Sequence, residues 1–113
     1  MHELSIAMNI VEQSENFATE QGATQITMVE LEVGRLSGVV KECLEFVWPE
    51  ATKATILEKS KLEITEVELT LKCSECGQSA VPEDIILLCP HCLSTRVEVL
   101  RGKELTIKKL EMQ

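Results

Sequence analysis

The sequence is poor in aromatic residues and in positive charge. It has two Phe, one Trp and no Tyr among 113 residues, so almost no side chain is available to stack on nucleic-acid bases. Eleven Lys and Arg residues stand against nineteen Asp and Glu residues, which gives a net charge of −8. This acidic balance does not supply the positive field that phosphate binding requires. We therefore expect no nucleic-acid partner.

Long apolar runs are also missing. No segment approaches the roughly 18 consecutive apolar residues of a membrane-spanning helix. Met1 is followed by His2 and Glu3 rather than by the basic stretch and apolar run of a signal peptide. We expect a cytoplasmic protein with reduced thiols and no membrane insertion. The hydrophobic fraction of 44% is that of a chain that buries a core, and the length is that of one ordinary domain.

Apolar periodicity predicts a mixture of helices and strands. Residues 4–21 have helical spacing, and Gly22 is placed to end that helix. The alternation that begins at Ile26 predicts a strand that ends at Gly34. Helical spacing resumes from residue 39 to 47, and Pro49 is expected to kink or divide this second helix. The apolar stripe predicted for the first helix comprises Leu4, Ala7, Met8, Val11 and Ala18.

The two later strands each change the parity of their apolar residues. Between residues 62 and 71 this change predicts either a bulge near Thr65 and Glu66 or a change of the buried face. The same reversal occurs within residues 105–112. We therefore predict that these two strands pair with each other and bend at the same place.

Four of the five cysteines form two CxxC motifs, Cys73 with Cys76 and Cys89 with Cys92. Two intervening residues allow both sulfurs of a motif to reach one ion, and four thiolates satisfy tetrahedral zinc. A single iron for electron transfer has the same spacing, but such sites usually lie among aromatic residues, and residues 73–99 contain none. A redox-active motif would be a single CxxC at the start of a helix. The pattern therefore favours Zn²⁺.

The cysteine-containing segment is too short to bury a core of its own, so the metal is expected to supply much of its folding free energy. We predict a zinc-binding domain formed by residues 71–99 and inserted before the last strand. Residues 1–70 together with residues 100–113 are predicted to form the other domain.

Cys43 and His91 lie outside the ligand pattern. Cys43 falls on the apolar side of the second predicted helix, where we expect a small buried hydrophobic residue. His91 lies inside the second CxxC motif. It is either a solvent-exposed spacer or an alternate ligand that exchanges with a thiolate.

The amino terminus offers a second set of metal ligands. An N-terminal amine, the amide nitrogen of residue 2 and the Nδ1 atom of a histidine there can close adjacent chelate rings. Such nitrogen-rich planar sets suit Ni(II) and Cu(II). His2 therefore has two interpretations, a metal ligand or an ordinary polar residue near the terminus.

These motifs together resemble the HypA/HybF family of hydrogenase nickel-incorporation proteins. The resemblance runs the whole length of the chain. It is carried by Met1-His2-Glu3, by Leu4 and Ser5 in the first helix, by the turn Gly34-Arg35-Leu36-Ser37, and by the paired cysteine motifs before a final strand. It implies an α+β fold in which two helices pack on a three-stranded, mostly antiparallel sheet, with an inserted, protruding zinc-ribbon-like module of four cysteines.

The resemblance also implies a nickel metallochaperone without catalytic activity. By this resemblance Ni²⁺ is held by the side chain of His2 and by main-chain nitrogens of Met1, His2 and Glu3. The carboxylate of Glu3 is a secondary candidate, as a ligand or as an anchor for the accessory protein. Structural Zn²⁺ is held by the four cysteines of the CxxC motifs.

The implied partners are a HypB-type nickel GTPase and the large subunit precursor of a [NiFe]-hydrogenase, served by a monomer or a homodimer. The alternative function is a zinc-ribbon protein-interaction module without exchangeable metal. Two features depart from the family pattern. Leu93 follows the second CxxC motif where glycine is common, and Trp48-Pro49 is expected to interrupt the second helix.

Overall fold

The computed structural model describes residues 2–113. This range contains two helices and six strands. The strands form two three-stranded sheets, with strand orders β2-β1-β6 and β4-β3-β5. The molecule is elongated, at 53 × 26 × 16 Å, because the second sheet extends away from the first. The predicted α+β fold is confirmed. The elements are α1 (Glu3–Glu20), β1 (Ile26–Gly34), α2 (Lys41–Thr52), β2 (Lys61–Val67), β3 (Thr70–Cys73), β4 (Ser79–Ala80), β5 (Val97–Arg101) and β6 (Leu105–Met112).

Helix α1 contributes four apolar side chains to the core that it shares with the first sheet, and it buries one serine. Its buried residues are Ala7, Ile10, Val11, Ser14 and Ala18. The Ser14 hydroxyl donates a hydrogen bond of 2.7 Å to the carbonyl oxygen of Ile10, which satisfies this buried polar group. Leu4 and Met8, predicted in the buried stripe, are instead 41% and 55% exposed. Neither helix is long and apolar enough to cross a membrane within the described residues.

The first sheet is mixed rather than mostly antiparallel. Strand β1 pairs with β6 in antiparallel orientation but with β2 in parallel orientation, from Met28 opposite Lys61 to Gly34 opposite Val67. The reason is the connection, because α2 carries the chain back across the sheet between β1 and β2, as parallel pairing requires. The prediction of a mostly antiparallel sheet was therefore wrong for the β1–β2 pair.

The alternation of apolar residues changes parity within residues 62–71 and within residues 105–112, and the two changes have different causes. In β6 the register with β1 shifts at Lys108, which is an extra residue between Ile107 and Lys109 and forms a β-bulge. The β1–β2 register has no shift, so β2 changes its buried face near its end, where Val67 is buried. Strands β2 and β6 lie on opposite sides of β1. The predicted pairing of these two strands was wrong.

Helix α2 continues through Pro49 to Thr52 and is not divided there. Proline has no amide hydrogen to donate to the carbonyl of Glu45. Both Glu45 and Pro49 are exposed, so that carbonyl faces water rather than the core. The inner side of the helix stays ordered, because the Thr52 hydroxyl donates to the Trp48 carbonyl oxygen at 2.9 Å.

Cys43 is exposed, contrary to its predicted burial. Leu44 and Trp48 are the residues of this part of α2 that turn toward the core, and both are buried. Cys43 precedes Leu44 and therefore lies about 100° away around the helix. The neighbouring Phe46 is 85% exposed, so this side of α2 faces solvent.

The two sheets meet where Gly34 crosses Gly102. The amide of Gly34 donates to the carbonyl oxygen of Glu104, and the amide of Leu36 donates to that of Gly102, both at 2.7 Å. The Gly102 amide also donates to the Glu104 carboxylate at 2.7 Å. Backbone N–H groups, that of Glu104 itself first and that of Gly102 second, hold the pKa of Glu104 below its usual range. The turn after β1 is thereby fixed to the chain that joins β5 to β6.

Candidate metal centres

The two CxxC motifs bring four sulfur atoms together at one point. All four lie within 4.8 Å of one another, and this is the one converging group of His, Cys, Asp or Glu ligand atoms among residues 2–113. The Sγ atoms of Cys73 and Cys92 are 3.6 Å apart, as are those of Cys76 and Cys89. Tetrahedral zinc with Zn–S distances of about 2.3 Å requires sulfur separations of about 3.8 Å. The four sulfurs therefore fit a zinc ion.

Both motifs fold into the same tight loop. The amide of Gly77 donates to the Cys73 carbonyl oxygen at 3.0 Å, and the amide of Leu93 donates to the Cys89 carbonyl oxygen at 2.9 Å. The residue after each motif has a positive φ, +74° at Gly77 and +63° at Leu93. Glycine adopts this left-handed conformation freely, whereas a leucine there is strained.

Backbone amides favour the thiolate form of two ligands. The N–H of Cys76 lowers the pKa of the Cys73 thiol to about 7, and the N–H of Cys92 lowers the pKa of the Cys89 thiol. The N–H of Ser94 also favours the thiolate of Cys92. The sulfur of Cys73, the partial burial of the thiol and the sulfurs of Cys89 and Cys76 together outweigh that effect and raise the pKa of Cys92 to about 12. Only part of the set ionises without a cation, so metal binding is expected to release protons.

The remaining histidine and cysteine stand apart from this centre. His91 is exposed, and the converging group contains only the four sulfurs. Cys43 is an exposed residue of α2 and also lies outside the group. The structure thus brings together the four predicted zinc ligands, and His91, the alternate candidate, is not among them.

The predicted nickel ligands lie at the start of α1. His2 is exposed and occupies the position just before the helix, with φ −91° and ψ 82°, and its carbonyl oxygen accepts the amide of Ile6 at 3.1 Å. Glu3 is the first helical residue and is half-buried. The first amides of a helix have no intrahelical acceptor, so those of His2 and Glu3 are available to a ligand. Met1, the predicted source of the amine, lies outside the described residues.

Comparison with known proteins relates the chain to one family. A family described as "Hydrogenase/urease nickel incorporation, metallochaperone, hypA" matches residues 1–112. The chain belongs to the HypA family. The hydrogenase maturation factor HypA of Parabacteroides distasonis is 42% identical over 110 residues, covering 97% of this chain and 96% of that protein. HypA of Aquifex aeolicus is 33% identical over 113 residues, covering 100% and 98%.

Solved HypA structures share the fold. The solution structure of the nickel metallochaperone HypA from Helicobacter pylori superposes with a TM-score of 0.72 at 24% identity, covering 99% of this chain and 97% of that one. A second HypA solution structure gives a TM-score of 0.74 at 23% identity. Membership of the HypA family identifies the chain as a nickel metallochaperone of hydrogenase maturation. The four-cysteine centre suits the structural metal of such a protein.

An exposed apolar face beside the N-terminal site was not predicted from the sequence. A cavity of about 480 Å³ opens between the first turn of α1 and the outer side of α2. A signal was present, because five of the six residues from 43 to 48 are apolar, more than one buried helix face accommodates. The cavity is lined by Glu3, Leu4, Glu42, Cys43, Phe46 and Val47.

Strain at Leu93 gives a first testable prediction. Leu93→Gly removes the left-handed leucine and loses little burial, because this side chain is 68% exposed. We expect the zinc-loaded protein to gain about 0.5–1 kcal/mol in unfolding free energy, measured by calorimetry. Leu87→Gly, at another exposed leucine whose φ is not positive, is the control and should give no gain. Equal effects of the two substitutions would show that Leu93 is not strained.

Proposed function

We propose that this chain binds Ni²⁺ at its N-terminus and delivers it, with a HypB-type GTPase, to the large subunit precursor of a [NiFe]-hydrogenase. The observation that carries the nickel site is the position of His2, which is exposed just before α1, where its own amide and that of Glu3 have no helical acceptor. The proposed ligands are the side chain of His2 and the main-chain nitrogens of Met1, His2 and Glu3. The Glu3 carboxylate is a secondary ligand or anchor.

The two metal centres have different exposure, which supports different roles. Cys73 and Cys89 are 1% and 2% exposed, so the proposed four-cysteine zinc site is closed on one side and built to retain its ion. His2 is exposed, as a site that must release its metal requires. Retention of reduced thiols at the zinc site favours the cytoplasm as the compartment of this function. We retain the proposed division into a zinc-binding domain, residues 71–99, and a nickel-binding domain.

The apolar face around Phe46 is the proposed contact of the accessory GTPase. It adjoins Glu3, which follows the proposed nickel ligand His2 directly. Phe46 is 85% exposed, and Leu4 is 41% exposed. Transfer of an ion between proteins requires that the partner reach the site itself, so a docking surface continuous with it serves that purpose. Exposed aromatic residues of this kind often contribute most of the binding energy of an interface.

Removal of the imidazole tests the nickel site. We expect His2→Ala to lower Ni²⁺ affinity at least tenfold, because one ligand is lost, while zinc content is unchanged. An N-terminal extension should have the same effect, whereas a C-terminal extension should have none. The wild-type protein should also release Ni²⁺ as the pH falls, because protons compete for each nitrogen ligand. Equilibrium dialysis of Ni²⁺ with metal analysis of each variant measures these effects.

A matched variant separates metal binding from delivery. Phe46→Glu should bind Ni²⁺ as the wild type does but lose GTPase-dependent transfer to the hydrogenase precursor. Nickel retention by His2→Ala equal to the wild type would contradict the proposed site. If the wild-type protein binds zinc but takes up no nickel, the result would favour the alternative function, a zinc-ribbon protein-interaction module. Unchanged transfer by Phe46→Glu would contradict the proposed docking face and leave the nickel site standing.

A further inference from the structure

Strand β6 has a free edge in the first sheet. It pairs with β1 on one side, and the strand order β2-β1-β6 places no strand of this sheet on its other side. An edge strand presents unpaired N–H and C=O groups that can pair with another extended chain. Strand β2 forms the opposite edge and provides an internal comparison.

A cleft separates this edge from α1. Two adjoining cavities, of about 510 and 350 Å³, lie along the strand and share Gln13 and Ile107 as lining residues. Phe17 on the helix is 47% exposed and Leu105 on the strand is 38% exposed. The helix therefore does not fill the space over β6, and apolar side chains line an open groove beside the free edge.

The edge formed by β6 has more basic than acidic side chains, although the molecule as a whole is acidic. Strand β6 carries Lys108 and Lys109 against Glu111, whereas β2 carries one lysine against two glutamates. Lys108 lies 3.8 Å from the Glu30 carboxylate. Lys109 is exposed and forms no ion pair with any of residues 2–113. A basic group is thus free beside the cleft in a chain whose net charge is −8.

We propose that β6 and the α1 cleft bind an extended segment of a partner protein that adds to the sheet as a fourth strand. The segment alternates apolar residues, which enter the cleft, with carboxylates, one of which pairs with Lys109. Strand β1 has this chemistry and already pairs with the other side of β6, with Glu30 opposite Lys109. The surface is separate from the N-terminal nickel site and does not depend on it.

A synthetic strand tests this surface. The probe is a short peptide that alternates glutamate with valine and leucine, titrated into zinc-loaded ¹⁵N-labelled protein. We expect saturable amide shift changes in residues 105–112 and in α1 near Gln13 and Phe17. A peptide of the same sequence with N-methylated backbone should not bind, because it cannot donate hydrogen bonds to the edge.

Charge reversal at the two edges provides the matched controls. Lys109→Glu should weaken binding about fivefold, the loss expected for one exposed ion pair. Lys61→Glu on β2 should leave the affinity unchanged. The proposal is overturned by shift changes centred on β2, by no saturable binding, or by equal affinity for Lys109→Glu. It is also overturned if sedimentation shows a dimer of the free protein that Lys109→Glu converts to a monomer.

Discussion

Cys89→Ser is expected to unfold the zinc-binding segment while the rest of the molecule stays folded. The main core consists of residues between Ala7 and Leu57, so it does not include this segment. The second sheet has strands of only four, two and five residues. Structural zinc contributes on the order of 10 kcal/mol of folding free energy to small domains. Loss of one thiolate should therefore remove most of the stability of this segment.

The measurement separates the two parts of the chain. Amide resonances of residues 71–99 should collapse to random-coil positions in Cys89→Ser, and zinc content should fall, while the fluorescence of buried Trp48 is unchanged. A strong chelator should have the same effect on the wild type. Cys43→Ser is the control, because this cysteine is exposed on α2 and should retain both zinc and fold. Dispersed resonances in the zinc-free variant would contradict a metal-dependent fold.

The sequence predicts elements well where one face alone is buried. Helix α1 and strand β1 agree with prediction to within a residue or so at each end, because their apolar periods are regular, Gly22 lies just after the helix and Gly34 ends the strand. Gly22 has φ +73°, as expected for a glycine that ends a helix. The pairing of strands was predicted less well. Parity shows which residues are buried, but not which strand lies beside which.

Side-chain burial on α2 shows the same limit. A run of apolar residues from Cys43 to Trp48 fits several helix faces, and only the packing of Leu44 and Trp48 against the sheet decides that Cys43 and Phe46 remain exposed. Pro49 likewise breaks a helix only if the carbonyl it leaves unpaired is buried. Both outcomes depend on tertiary contacts that local sequence does not contain.

The sequence predicts a candidate site well when the residues of that site lie close together in the chain. The spacing within each CxxC motif predicts that its two cysteines lie close together, and the structure brings the sulfur atoms of all four cysteines together. The cleft between α1 and β6 joins residues about 90 positions apart, such as Gln13 and Ile107, and no motif relates them. Surfaces of that kind become visible only once the chain is folded.

Gly34→Ala is expected to destabilise the whole molecule. Gly34 is the last residue of strand β1 and is not among the glycines with a positive φ, so the cost is one of space. An added Cβ would fall far inside van der Waals contact with the carbonyl of Gly102 and would lie 2.7 Å from the amide nitrogen of Glu104. Both obstacles are backbone atoms and cannot rotate away. Relief requires β1 and the start of β6 to separate, which breaks the hydrogen bonds from the amides of Gly34 and Leu36.

We expect a loss of about 4 kcal/mol in unfolding free energy, or a fall in melting temperature of about 15 °C, for the zinc-loaded protein. Gly22→Ala is the control, since nothing lies within 4 Å of its added Cβ and only the positive φ of +73° opposes it. That substitution should cost about 1 kcal/mol. Equal losses for the two variants, measured by calorimetry, would mean that the crossing of Gly34 and Gly102 is not closely packed. A much larger loss at Gly34 would establish this crossing as the point that fixes the second sheet to the first.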